Sequence, residues 1–420
     1  MSGDPIARAA GGWLLGLVFC GWSASYLWSS VGLAPIGYAA ALAWLPFIVA
    51  AFLFSRRYRA LSMLLVPLIL LFGVVLIANF YFDQRHPYGL ELYGKTLFYV
   101  PVALLAGAAT GTVLADRAVA IGFAKATGYG FAAFVITYAM YALSKGWRPG
   151  QLLLGTDVGE YYQGISRLLA VAVLALAALR PVINNVVVWI CMPVGVVLVS
   201  AFLGAGALLG VLLAFLWLLA ASGRASPFAR LAGLFAVAVV VGALVYAFVA
   251  FDLFGPLLQF EERLAGKADS VAYGYESRPW LMLQGLKLWS SGTIEFLFGP
   301  GLLRYSCHVG HCVDFRHPHN LVILFLVWFG IMSIPFLIAL AGAAWRALGL
   351  LRSEHPVNHL FGLLFVNYGA LSLLGGDLEQ NRHLFYVAGV TWALASSVRR
   401  RRPIVSRRGA SAGLGVGVSK

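Results

Sequence analysis

Apolar runs of about 20 residues recur along the chain, separated by short segments that hold most of the charge. The pattern predicts about twelve membrane spans. They lie near 11–31, 36–54, 60–81, 96–115, 118–143, 164–179, 182–200, 203–221, 229–251, 319–344, 357–374 and 384–398. The seventh and eighth run together, so eleven is the alternative count. Each span is expected to be helical, because hydrocarbon offers a backbone N–H or C=O no partner outside the segment. The fold class expected is therefore an all-α polytopic membrane protein. The first run is too long for a signal-peptide core and more spans follow it, so it is read as retained.

Composition supports this reading. Of 420 residues, 61% are hydrophobic and 11% charged, and the mean hydropathy is +0.86. A soluble domain carries roughly a quarter charged residues. An ordinary soluble enzyme, a disordered chain and a disulfide scaffold are excluded. The net charge of +14 suggests nucleic acid at first sight, but the charges sit between apolar runs and read as topology signals. Arg56, Arg57, Arg59, Arg117, Arg180, Arg224, Arg230, Arg346, Arg352 and the run Arg399–Arg402 all fall on one side of a twelve-span layout. That side is expected to be cytoplasmic and to hold both termini. The segment 403–420 is basic and rich in Gly and Ser, and is expected to be a disordered cytoplasmic tail.

Four regions follow. Residues 1–251 hold spans one to nine, 252–318 form a long outer loop, 319–402 hold the last three spans, and 403–420 are the tail. A loop of that length is usually functional. Within it, Trp280–Trp289 reads as an amphipathic helix lying at the membrane surface.

Chemistry is expected on this outer face. His317-Pro318-His319-Asn320 stands where the long loop enters span ten. Histidine is the ordinary side chain that exchanges a proton near neutral pH. The plain alternative is an interfacial residue beside a helix start. Outer-face arginines Arg148, Arg167, Arg278, Arg304, Arg316 and Arg382 can grip phosphate oxygens bidentately. Anchoring to headgroups, snorkelling and ion pairing are their ordinary alternatives. The carboxylate pairs Asp157/Glu160 and Glu261/Glu262 read as solvated loop charge, and His86 and His383 as polar residues at headgroup level. Cys20 and Cys191 read as packing residues, whereas Cys307 and Cys312 are candidates for a disulfide in an oxidising compartment. A zinc site shared with His308 and His311 is the alternative, although four ligands within six residues wrap poorly around one tetrahedral ion. No cofactor is expected.

One pattern is more specific. His319-Asn320 is followed by nine residues and then Gly330-Ile331-Met332-Ser333. Arg278-Pro279-Trp280, Phe298-Gly299-Pro300-Gly301 and Glu379-Gln380-Asn381-Arg382 accompany it. Together they resemble the O-antigen ligase and polymerase family of bacterial inner-membrane glycosyltransferases, over roughly residues 200–400. The family's Ser-Arg-Gly-like element is missing. The corresponding stretch Ser200-Ala201-Phe202-Leu203-Gly204-Ala205-Gly206 has no arginine, and Arg167 is the candidate to supply that charge. The resemblance implies an undecaprenyl-diphosphate-linked glycan as donor and lipid A–core as acceptor. It implies transfer at the periplasmic face, without nucleotide or metal, and with no nucleic-acid partner. His319 would be the general base. Arg278, Arg167, Arg382, Arg304, Arg316, Asn320 and His317 would hold the diphosphate or the glycan. The polymerase, which uses a second lipid-linked repeat as acceptor, is the near alternative. A transporter or lipid flippase is the alternative of another class, disfavoured because its charge would lie at the membrane midplane in broken helices.

Overall fold

A computed structural model describes residues 4–25, 39–83, 89–144, 162–201, 205–221, 278–310, 317–353, 355–375 and 381–401. Every regular element among them is helical. In chain order these are α1 (Pro5–Ser23), α2 (Trp44–Phe54), α3 (Arg56–Asp83), α4 (Gly89–Val113), α5 (Arg117–Ser144), α6 (Tyr162–Leu179), α7 (Asn185–Ala201) and α8 (Ala205–Ala221). Then follow α9 (Arg278–Trp289), α10 (Thr293–Phe298), α11 (Leu302–His308), α12 (Leu321–Phe329), α13 (Ile334–Leu350), α14 (Pro356–Leu374) and α15 (Arg382–Arg401).

Among the described residues, five stretches are long and apolar enough to cross a membrane: Pro5–Ser23, Arg56–Asn79, Tyr93–Val113, Arg117–Met140 and Leu321–Leu350. Shorter apolar helices cover Ala39–Phe54, Gly164–Leu179, Asn185–Val199 and Ala207–Leu216. The outward faces carry large apolar side chains at high exposure, such as Leu64 at 74% and Trp345 at 72%. A soluble protein rarely leaves so much apolar surface in water, and a membrane-embedded helical protein must. The expected span near 229–251 and the outer segments 252–277 and 311–316 lie outside the described residues.

Small residues let the helices approach. Gly12 and Gly16 of α1 face α5, and Gly107 and Gly111 of α4 face α15. A Cβ on Gly16 would stand 2.7 Å from the Ala126 methyl, and one on Gly111 2.6 Å from the Val390 carbonyl oxygen. In lipid, association rests on this close van der Waals packing, because tails compete with side chains for apolar contact. Gly107→Ala is expected to lower stability by about 1–3 kcal/mol, since its new methyl meets the Tyr386 carbonyl. Gly11→Ala, with open space around it, is expected to leave stability unchanged or raise it slightly. Thermal unfolding of the two variants in detergent checks the contrast, and equal melting shifts would refute it.

The α1–α5 pair is also joined at its ends. Arg8 donates to Asp116 at 2.9 Å, and Asp116 accepts from the N–H groups of Ala118 (2.9 Å) and Val119 (3.3 Å), capping α5. Partial burial works against the charged Asp116 carboxylate, but those N–H groups and Arg8 outweigh it and hold its pKa below the usual range. A depressed pKa means that this junction is at full strength above about pH 4 and weakens as acid titrates the folded carboxylate.

One expectation is refined. The stretch expected as span ten is long and apolar enough to span but is not one continuous α-helix. α12 ends at Phe329, a 3-10 turn covers Gly330–Ser333, and α13 resumes at Ile334. Gly330 has φ +55, and a Cβ there would lie 2.6 Å from the Leu297 carbonyl carbon and from the Gly299 nitrogen. The break therefore needs glycine twice over, for its backbone angle and for the main chain pressed against it. The segment expected as an amphipathic surface helix is helical, as α9, and it packs along α12. Gly285 opens the contact, with Ile323, Val327 and Pro318 against it. Tyr305 of α11 ties to it through a 2.9 Å bond from its hydroxyl to the Leu281 carbonyl. Residues 278–308 thus form three short helices packed beside a broken one.

Candidate functional site

The His-Pro-His-Asn segment sits where two helix ends meet. The four N–H groups that open a helix and the four carbonyls that close one lack intrahelical partners. Asn320 serves both ends. Its Oδ1 accepts from Val322 (3.0 Å) and Ile323 (3.2 Å), the first turn of α12, and its Nδ2 donates to the carbonyl of Leu373 (3.2 Å) in the last turn of α14. The side-chain amide of Asn320, expected to touch substrate, joins two antiparallel helices, and this junction sets the position of its neighbour.

That neighbour is strained. His319 has φ +53, and among the described residues it is the one non-glycine residue with positive φ. Holding a side-chain-bearing residue in the left-handed region costs of order 1–3 kcal/mol, and such residues gather at functional sites. The ring of His317 lies 4.3 Å from that of His319, tilted by 51°. On another side, a Cβ on Gly375 would lie 3.7 Å from His319 Nδ1. Pro318 between the two histidines is buried, while both histidines are partly exposed. The segment thus offers two imidazoles at a half-open helix junction.

A second polar group lies against the same end of α14. Arg382, the first residue of α15, is 8% exposed. Its Nη2 donates to Ser25 Oγ at 2.8 Å, and its guanidinium lies 5.2 Å from the Tyr99 ring centre. His383 is stacked between Trp22 (4.4 Å between ring centres) and Tyr368 (5.4 Å), within the field of both Arg382 and Arg167. Arg167, Ser23, Asn381, Tyr368 and His383 enclose a cavity of about 20 Å³. That is room for one water molecule. Tyr368 and Gly375 are seven residues apart on α14, about 10 Å along its axis. The arginine cluster, through Tyr368 and Leu371, and the histidine pair, through Leu373 and Gly375, thus both lie against the C-terminal end of α14. His383, expected at headgroup level, is a buried member of this cluster. Arg167, for which snorkelling was the ordinary alternative, lines an internal cavity.

The remaining candidates separate. Arg278 is exposed at the first position of α9. Arg304 is paired with Glu295. A backbone hydrogen bond and the Arg304 guanidinium hold the Glu295 carboxyl below the usual range. Arg304 was expected as a phosphate ligand, and this partner already engages it. Cys307 is disulfide-bonded, and Cys20 and Cys191 are free. Cys312, the partner expected for Cys307, lies outside the described residues, as do Arg148 and Arg316. Among the described residues no group of three or more His, Cys, Asp or Glu side chains is placed to hold a metal ion.

Sequence reasoning missed Asn79. This buried residue of α3 donates from its amide to the carbonyl of Trp328, which closes α12, and to that of Phe298 at 3.5 Å. It fastens the Gly299–Gly301 turn to the helix break. An asparagine inside a long apolar run was the available signal, because a buried amide in lipid requires partners.

No protein-family model matches this chain, and no curated protein matches it.

Proposed function

We propose that this protein is a glycosyltransferase of the O-antigen ligase kind. It would move a glycan from an undecaprenyl-diphosphate carrier to a sugar hydroxyl of lipid A–core, at the periplasmic face of a bacterial inner membrane. The observation that carries the reading is the strained, half-open His319 at the same end of α14 as the buried Arg382 and the partly buried Arg167.

The chemistry is a single displacement. Neutral His319 accepts the proton of the acceptor hydroxyl, whose oxygen attacks C1 of the donor sugar. The C1–O bond to the diphosphate breaks and its electron pair leaves with the diphosphate. One displacement inverts C1. The developing negative charge needs fixed positive charge within reach. In this reading Arg167 and Arg382 would act through their field from beside the one-water cavity, without touching the phosphates, and Arg278 would meet the headgroup from the exposed end of α9. Arg316 remains a further candidate. The proposed orientation rests on Arg57, Arg117, Arg180, Arg346 and Arg352, which lie at helix ends opposite His319.

Arg278→Ala is expected to reduce transfer at least tenfold and Arg278→Lys by less, because an ammonium replaces only part of a bidentate contact. Equal losses would remove Arg278 from the clamp. Arg304→Ala is expected to stay within about threefold of the wild type, because its partner is Glu295 and an exposed pair contributes little. A loss as large as that of Arg278→Ala would restore Arg304 as a ligand.

The deciding experiment mixes purified protein with a polyprenyl-diphosphate glycan, in chelator and without nucleotide, with and without lipid A–core. Glycan appearing on lipid A–core supports the ligase. Longer glycan still on the carrier means the polymerase. The break at Gly330 favours a second reading, a transporter, because discontinuous helices form transport sites. Here main chain from Leu297–Gly299 fills the break, and Phe329 and Phe336 surround it. Neither product from folded protein would shift the reading to transport.

A further inference from the structure

A groove of about 330 Å³ runs between α3 and α13, on the half of the bundle away from His319. Leu64 and Leu68 stand on the α3 wall, Ala339 and Leu340 on the α13 wall, and Leu104 and Trp392 in the floor. All its lining side chains are apolar, and the one polar atom among them, the Trp392 indole N–H, is bonded to the Ala339 carbonyl at 3.3 Å. The volume falls within the roughly 300–1,000 Å³ of small-molecule sites. The part of a ligand that fits here is hydrocarbon.

The two ends of the groove differ. Toward His319 it is lined by rings: Phe336 lies 5.8 Å from both Phe72 and Phe325. A chain descending from the His319 face would have to pass among those rings. Two cations stand just beyond the lining at the opposite end, next to Trp392 and its neighbour Ala393. Arg57 of α3 donates from Nη2 to the Ala393 carbonyl at 2.6 Å, and the Arg346 guanidinium of α13 lies 3.3 Å from the Trp392 ring centre. The arginines come from the two opposing walls and converge on adjacent residues of α15. Apolar walls with paired guanidinium groups at one mouth complement a hydrocarbon chain carrying an anionic head.

We infer that this groove binds an anionic glycerophospholipid from the leaflet opposite the His319 face, with one acyl chain between α3 and α13 and the phosphate between Arg57 and Arg346. The site is separate from the glycan-transfer reading and stands or falls without it.

Native mass spectrometry of the full chain in detergent tests this. Phosphatidylglycerol and phosphatidylcholine with the same acyl chains are titrated onto delipidated protein. Phosphatidylglycerol is expected to bind at least tenfold tighter. The Arg57→Gln/Arg346→Gln double variant is expected to bring the two lipids within threefold, while Arg57→Lys/Arg346→Lys keeps most of the preference. Ala339→Trp, which fills the groove, is expected to weaken phosphatidylglycerol tenfold in protein whose melting temperature is unchanged. Arg180→Gln, a basic residue away from the groove, is expected to change nothing. Equal binding of the two lipids by the wild type would overturn the inference. So would a preference that survives the glutamine pair, or a polyprenyl phosphate that displaces phosphatidylglycerol at equal concentration. A lipid-free dimer would also overturn it, by assigning the groove to a second copy of this chain.

Discussion

His319→Gly is expected to abolish glycan transfer while leaving the melting temperature unchanged or higher. The reasoning separates two roles that alanine would blur. A general base contributes about 10²- to 10⁴-fold, so its loss should reduce turnover at least a hundredfold. The backbone, however, holds His319 at φ +53, where glycine is at ease and a side chain is not. Glycine therefore removes the imidazole and relieves the strain together, by up to about 1–3 kcal/mol. Single-turnover transfer and thermal unfolding on the same preparation make the comparison. Full activity in His319→Gly would end the base assignment and pass it to His317, whose ring is 4.3 Å away. Loss of both activity and stability would mean that the imidazole is part of the packing.

Gly330→Val should have the largest effect on stability, at about 3 kcal/mol or more. A β-branched residue at φ +55 is an outlier by itself. The main chain of Leu297 and Gly299 also occupies the space that its side chain would need. Because Gly299 and Gly330 press on one another, Gly299→Ala and Gly330→Ala should be non-additive, the double variant losing less than the sum. Melting temperatures of the three variants in one detergent decide this. Additive losses, or an unshifted Gly330→Val, would show that the two segments are not in contact.

Several features were legible locally. Apolar runs of span length require helices because lipid leaves the backbone no other partner, and helices cover most of the described residues in those runs. Asn320 before an uninterrupted apolar run is an N-cap signal, and it caps α12. The Gly-x-Gly turn at Gly299–Gly301 has both glycines at φ +84. The break at Gly330 was not legible. A lone glycine in an apolar run is ordinarily tolerated within a helix. What ends α12 is a turn about thirty residues earlier in the chain, whose main chain lies against it. His383 was misplaced for a similar reason. Beside the polar Arg382 it reads as headgroup-level, but Trp22 and Tyr368, which stack on it, are remote in sequence.

The sequence by itself determined that this chain is helical and that it is embedded in a membrane. Both follow from the solvent, which acts on each segment alone. It also singled out the His-Asn element and the outer arginines as candidates. Tertiary structure decided which of these share a place. It set Arg167 and Arg382 around His383, engaged Arg304 with Glu295, turned Asn320 into a brace between α12 and α14, and strained His319 beside it. Those outcomes depend on contacts between residues far apart in the chain. Local pattern does not encode them, because small residues and buried amides fix close helix contacts only once the helices have met.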